Sequence, residues 1–234
     1  MSDAFQRYVK HNNLPVDNSG FIETKRNGIL SDLKSHQFSF EASAYLSLSV
    51  TEVYEHFKSK FILLVRRPDE VVNSYITKRW YEHELVRQND HLAPHFQPGL
   101  LLPHHSFSRI VPVGDEAKPW NEYTRIGKLS WFWTYLNRSV ITQLQFIPKD
   151  DYRIVKLEDL DYQSYRDICA FIGFESVVPE AQFHEIAQAK PNFKPRKKEL
   201  SEWTDREKME FENEVKDLAI ELAYEWKVDS LLTA

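Results

Sequence analysis

Cysteine, glycine and long apolar runs are all scarce in this chain. Cys169 is the only cysteine, which excludes a disulfide within the chain, and its apolar helical setting fits a reducing compartment. Only six glycines occur, and just Gly20 and Gly28 precede residue 99. Neither follows an apolar strand, so no glycine-rich loop ending in Lys-Ser/Thr is present and a nucleotide kinase of that type is disfavoured. The opening residues MSDAFQRYVKHNNLP hold no apolar run long enough for a signal peptide or membrane span, and the expected setting is cytoplasmic. Basic charge is not in excess either: the net charge of −5 gives no global attraction to nucleic acid or to an anionic membrane, so any anion site must be a local basic patch.

What is present supports a folded core. With 42% hydrophobic and 14% aromatic residues among 234, the chain can bury a sizeable core as one domain. The pattern changes most sharply in FILLVRRPDEVVNSYITKRW, residues 61–80. Phe61 to Val65 is a short apolar run of the kind that forms a strand buried on both faces. Arg66 and Arg67 end it, Pro68 suits a first helical turn, and Asp69 and Glu70 follow where the helix dipole favours acids. A strand, a tight turn and a helix result. Ligands of open α/β sheets sit beyond the carboxyl ends of the strands, where a helix N-terminus attracts anions. Arg66 stands at that edge, and Ser74 lies two turns into the helix. Together they would offer one phosphate a charged fork and a neutral donor. The alternative for the same residues is a capping and ion-pair arrangement with no ligand.

The segment Arg66-Arg67-Pro68-Asp69-Glu70-Val71-Val72-Asn73-Ser74-Tyr75 resembles the part of the sulfotransferase family that holds the 3′-phosphate of the donor 3′-phosphoadenosine 5′-phosphosulfate. The resemblance implies that Arg66 and Ser74 are phosphate ligands. It extends over roughly residues 38–226. YRIVKLEDL followed by YRDICAFIGF looks like the family's strand ending in Glu-Asp-Leu and its helix ending in Phe-Leu-Gly, with Gly173 at the C-terminal turn. FSFEASAYL is similar to the Glu-Lys-Ser/Thr-Pro segment near the reacting groups, with Glu41 and Ser43 in place, Ala42 where the lysine stands and no proline. Glu41 is thus the candidate catalytic base, with a helix-entry carboxylate as the alternative. Trp131 and Asn137 resemble the family's Trp-and-Asn helix. KPNFKPRKK places five basic residues in nine, and Arg196 and Lys197 are the candidates for the basic loop that closes over the 3′-phosphate. A solvated linker and a localisation signal are the alternatives for that run.

The implied fold is a sulfotransferase-like, P-loop-NTPase-like three-layer α/β domain with a mainly parallel sheet. The implied reaction moves a sulfuryl group from 3′-phosphoadenosine 5′-phosphosulfate to a hydroxyl or amine of a small-molecule or glycan acceptor, without a metal. The family's first strand and phosphosulfate loop have no counterpart here, so an N-terminally truncated domain is expected. A catalytically impaired nucleotide-binding or scaffolding protein on a degenerate fold of this kind is the alternative.

Elsewhere the expectations are local. Residues 3–11 read as a helix, 19–24 as a brief strand with a turn at Asn27-Gly28, and 38–46 as a strand entering a helix that continues to Phe57. The helix after Pro68 is expected to reach about Arg87. Residues 89–124, with five prolines, read as a long loop over the acceptor pocket. His91 and His95 there lack a helix pattern and are read as solvent-facing rather than metal-binding. A core helix is expected over 125–146 and a strand over 152–157. Thr204 is read as the N-cap of a final helix, without a capping box because Lys208 follows it.

Overall fold

The computed structural model describes residues 2–82, 109–173, 178–189 and 202–226. Its elements are α1 (Asp3–His11), α2 (Ser19–Asp32), α3 (Val50–Phe57), β1 (Phe61–Val65), α4 (Pro68–Thr77), α5 (Ala117–Glu122), α6 (Arg125–Leu144), β2 (Tyr152–Lys156), α7 (Tyr162–Ile172), α8 (Glu180–Gln188) and α9 (Asp205–Glu221). The class is mixed α/β, mostly helical, with β1 and β2 paired in parallel.

The core is built around α6. Thr124 caps it by accepting from the Gly127 N–H. Every residue from Ile126 to Trp133 is buried, as in a helix surrounded on all sides rather than one lying on a surface. It packs against α9, α4 and α3. Leu129 and Phe132 are at most 1% exposed, and burying each such side chain contributes roughly 1.5–3 kcal/mol. Val65 and Val72 bring β1 and α4 into the same cluster.

The strand-turn-helix at 61–77 forms as read, with Pro68 in the first turn of α4. β1 is not buried on both faces, however. Its burial alternates, with Ile62 38% and Leu64 49% exposed, because the core covers only the side of Phe61, Leu63 and Val65. α4 also stops ten residues before Arg87, at Thr77. The guanidinium of Arg125 donates to the carbonyls of Ile76 at 3.0 Å and Trp80 at 2.6 Å, a cationic cap on the helix's C-terminal end. Arg79 and Tyr81 then take positive φ.

Two further expectations are corrected. Residues 19–32 are helical, so Asn27-Gly28 is no turn. Residues 38–43 form no strand and lead into a 3₁₀ turn at Ala44–Leu48 before α3, since no neighbouring strand among the described residues pairs with them. Of the proline-rich stretch, residues 109–124 are described and include α5, with Trp120 in the core; His91 and His95 lie outside the described residues. α7 ends on Gly173 at φ 97°, a backbone conformation that favours glycine. Thr204 is the N-cap of α9 and does form a capping box, its partner being Glu207 rather than a residue at position 208. Among the described residues no helix is long and apolar enough to cross a membrane.

Candidate functional site

The parallel register pairs Val65 with Lys156, so both strands end at one edge of the sheet. Arg66 and Arg67 follow β1 there, and the 3₁₀ turn Leu157–Asp159 follows β2. Glu158 joins the two. One carboxylate oxygen accepts from the Arg67 backbone N–H at 2.7 Å and the other from the Tyr224 hydroxyl at 3.1 Å. Lys156 adds a hydrogen bond to the Ala223 carbonyl at 3.2 Å. The residues just after α9 are thereby tied to the strands' carboxyl ends. From the other side, the Trp133 indole donates to the Arg66 carbonyl at 3.0 Å, fixing the backbone of Arg66 against the central helix.

The two arginines differ in what they touch. Arg67 makes a two-point contact with Asp69, at 3.1 and 3.3 Å, and the Asp69 side chain is wholly buried. Arg66 instead turns along α4 to Glu70 at 3.0 Å, with Arg66 exposed and Glu70 half-buried. Glu70 and Ser74 are one helical turn apart within α4. Residues so spaced lie on one stripe of a helix; Arg66, which precedes the helix, touches that stripe at Glu70, and half-buried Ser74 is the next residue along it.

Glu41 belongs to a different cluster. It is ion-paired with Lys25 of α2, and Lys25 also contacts Asp3 at 2.7 Å. Ser43 donates to Asp3 at 3.0 Å. Burial and the neighbouring Asp3 carboxylate push Glu41 up, against the pull of Lys25. For Asp3, burial acts upward, but hydrogen bonds from Lys25 and from Glu41 outweigh it and hold that carboxyl low. Two carboxyls pushed in opposite directions can divide acid and base roles between them. The hydrogen-bonding partners of Glu41 are Lys25 and Asp3, not Arg66 or Ser74. Arg196 and Lys197 lie outside the described residues.

Lys25, Glu158 and Trp133 were not legible as site residues. Lys25 comes from a segment that reads as strand and turn, and the contacts of Glu158 and Trp133 span 91 and 67 positions of sequence. A cavity of about 650 Å³ lies elsewhere, lined by Trp120, Trp131, Tyr135 and Glu214 among others. Among the described residues no group of three or more His, Cys, Asp or Glu side chains is placed to hold a metal. Comparison with protein-family models, with curated proteins and with solved structures found no match.

Proposed function

We propose that this chain is a sulfotransferase-like domain that holds the 3′-phosphate of 3′-phosphoadenosine 5′-phosphosulfate between Arg66 and Ser74 and passes the sulfuryl group to an acceptor hydroxyl or amine. The observation that carries this reading is the Arg66–Glu70 pair at the end of a parallel strand, with Ser74 one helical turn beyond Glu70. Arg67 is committed to buried Asp69, so Arg66 is the arginine of the pair that a ligand can recruit. A phosphate arriving there competes with Glu70 for the guanidinium. An exposed pair of that spacing is worth about 0.3–0.5 kcal/mol, less than a charge-assisted bond to phosphate at about 1.5–3 kcal/mol.

In the reaction the acceptor oxygen or nitrogen attacks sulfur in line, and the bond from sulfur to the phosphate oxygen breaks. Adenosine 3′,5′-bisphosphate leaves. Glu41, made more basic by burial and by Asp3, is in its ionised form the candidate for taking the acceptor's proton, with Lys25 beside it as a cation. Positioning and charge stabilisation supply most of the rate in such a transfer. The basic run at 190–198, with Arg196 and Lys197, completes the reading as the segment over the 3′-phosphate.

One observation favours a second reading, a nucleotide binder without transferase activity. Gly20 and Gly28 both lie inside α2, so residues 2–82 supply no glycine loop for the phosphosulfate. Losing even one preorganised donor to developing charge costs on the order of a hundredfold in rate. Incubation with sulfur-labelled donor and a mixed pool of hydroxyl and amine acceptors separates the two. An enzyme moves label to the pool and loses that ability in Arg66→Ala. A binder leaves all label on the nucleotide.

A further inference from the structure

A second site is built on the opposite side of α6. Trp131, Tyr135, Arg138 and Thr142 follow one another at helical spacing and line the 650 Å³ cavity. Trp133, which holds Arg66, is two residues from both Trp131 and Tyr135, about 200° round the helix. The cavity therefore faces away from the strand-end junction. Its volume lies within the range of small-molecule sites.

The walls specify a chemistry. The rings of Trp131 and Tyr135 stack with centroids 5.0 Å apart, and Trp120 meets Trp131 edge-on at 5.9 Å. The Tyr135 hydroxyl is fixed to His11 at 2.8 Å. Glu214, on α9, lines the cavity and accepts from the Tyr123 hydroxyl at 2.8 Å, and Glu116 lines it as well. The cationic side chain lining the cavity, Arg138, is drawn to Glu221. Burial pushes Glu214 up against the pull of the Tyr123 hydrogen bond, and the like charges of Glu116 and Glu210 add to the push, which a positive ligand relieves. Trp120, only 2% exposed, is in the wall, and its indole N–H has no partner among the described residues. The face of the same ring already receives the Lys128 ammonium at 4.8 Å.

We propose that this cavity binds a small organic cation, a quaternary ammonium or protonated amine. Aromatic faces attract a desolvated cation most strongly when water is excluded. Glu214 and Glu116 supply the countercharge. The site stands independently of the nucleotide reading, since none of its residues belongs to the Arg66 junction.

Two probes of nearly identical shape test it: phenyltrimethylammonium bearing a para-hydroxymethyl group, and para-tert-butylbenzyl alcohol, in which carbon replaces the charged nitrogen. Each is titrated into the intact chain and followed by tryptophan fluorescence. The cation is expected to bind at least about tenfold more tightly than the neutral probe, a difference of 1.4 kcal/mol, and Glu214→Gln to remove most of that preference. If Glu214→Gln does not fold by circular dichroism, Glu116→Gln at its exposed position is expected to lower the preference severalfold. Equal binding of the two probes, no saturable signal in the millimolar range, or an undiminished preference in a folded Glu214→Gln each overturns the proposal.

Discussion

Arg66→Ala and Arg67→Ala, one residue apart, are expected to fail in different ways. Removing Arg67 takes away the two-point ionic partner of the Asp69 carboxylate, whose side chain is 0% exposed. Breaking a fully buried pair costs about 3–5 kcal/mol. Arg67 is 31% exposed, so the pair is partly screened, and Asp69 sits in the first turn of α4 where the helix dipole helps an acid. The expected loss is therefore about 2 kcal/mol, or about 4–8 °C in Tm for a chain of this size. The backbone bond from Arg67 to Glu158 survives the substitution. Arg66 loses only an exposed pair, with side chains 44% and 31% exposed, worth about 0.3–0.5 kcal/mol. Urea and thermal unfolding followed by tryptophan fluorescence give both values. A double-mutant cycle with Asp69→Ala isolates the coupling, and Arg67→Ala is expected to be nearly silent in that background. The reasoning is refuted if Arg66→Ala destabilises as much as Arg67→Ala, or if Arg67→Ala costs less than about 0.5 kcal/mol.

Three other perturbations probe the frame that holds the site. Thr204→Ala deletes the capping box of α9 and is expected to lower stability by about 1 kcal/mol in urea titrations. Gly127→Ala, which would gain about 1 kcal/mol in an open helix, is expected to lose stability by the same assay. Its new Cβ would lie 2.5 Å from a Glu210 carboxylate oxygen and 3.1 Å from the Cβ atoms of Glu210 and Tyr123, and that oxygen is held by the Thr124 backbone N–H and hydroxyl. Burial and the Glu214 carboxylate push the Tyr123 phenol from 10.0 up to about 12. Its stabilising contribution is whole below pH 10 and is lost as pH rises toward 12, because the unfolded chain ionises first. Tyr123→Phe is expected to flatten that part of the stability profile in urea midpoints measured across the same range.

Much of the junction was legible because its signals are local. Pro68 with Asp69 and Glu70 announces a helix start whatever surrounds it, and Gly173 and Thr204 do the same for the end of α7 and the start of α9. The long apolar spacing of α6 needs no partner to be recognised. α2 was not legible, since it buries only Phe21 and Ile22 and carries Asn27 and Gly28 mid-helix. Its place is held by tertiary contacts: Lys25 reaches Asp3 and Glu41. FSFEAS alternates like a strand, yet alternation reports only which residues could share a face. Without a neighbouring edge among the described residues, Phe40 stays 62% exposed. The capping box was missed by one position, because Glu207, not Lys208, is the third residue of the helix. The aromatic cavity could not be read at all, for it joins α5, α6 and α9 across about ninety positions of sequence.

The central claim, that Arg66 and Ser74 hold a 3′-phosphate, is tested most directly by a ratio of affinities. Calorimetry gives the affinities for adenosine 3′,5′-bisphosphate and adenosine 5′-monophosphate on the wild type, Arg66→Ala and Ser74→Ala. The wild type is expected to prefer the bisphosphate by at least about tenfold, Arg66→Ala to bring the ratio close to one, and Ser74→Ala to lower it severalfold. A folded wild type that binds the two nucleotides equally, or binds neither, contradicts the account.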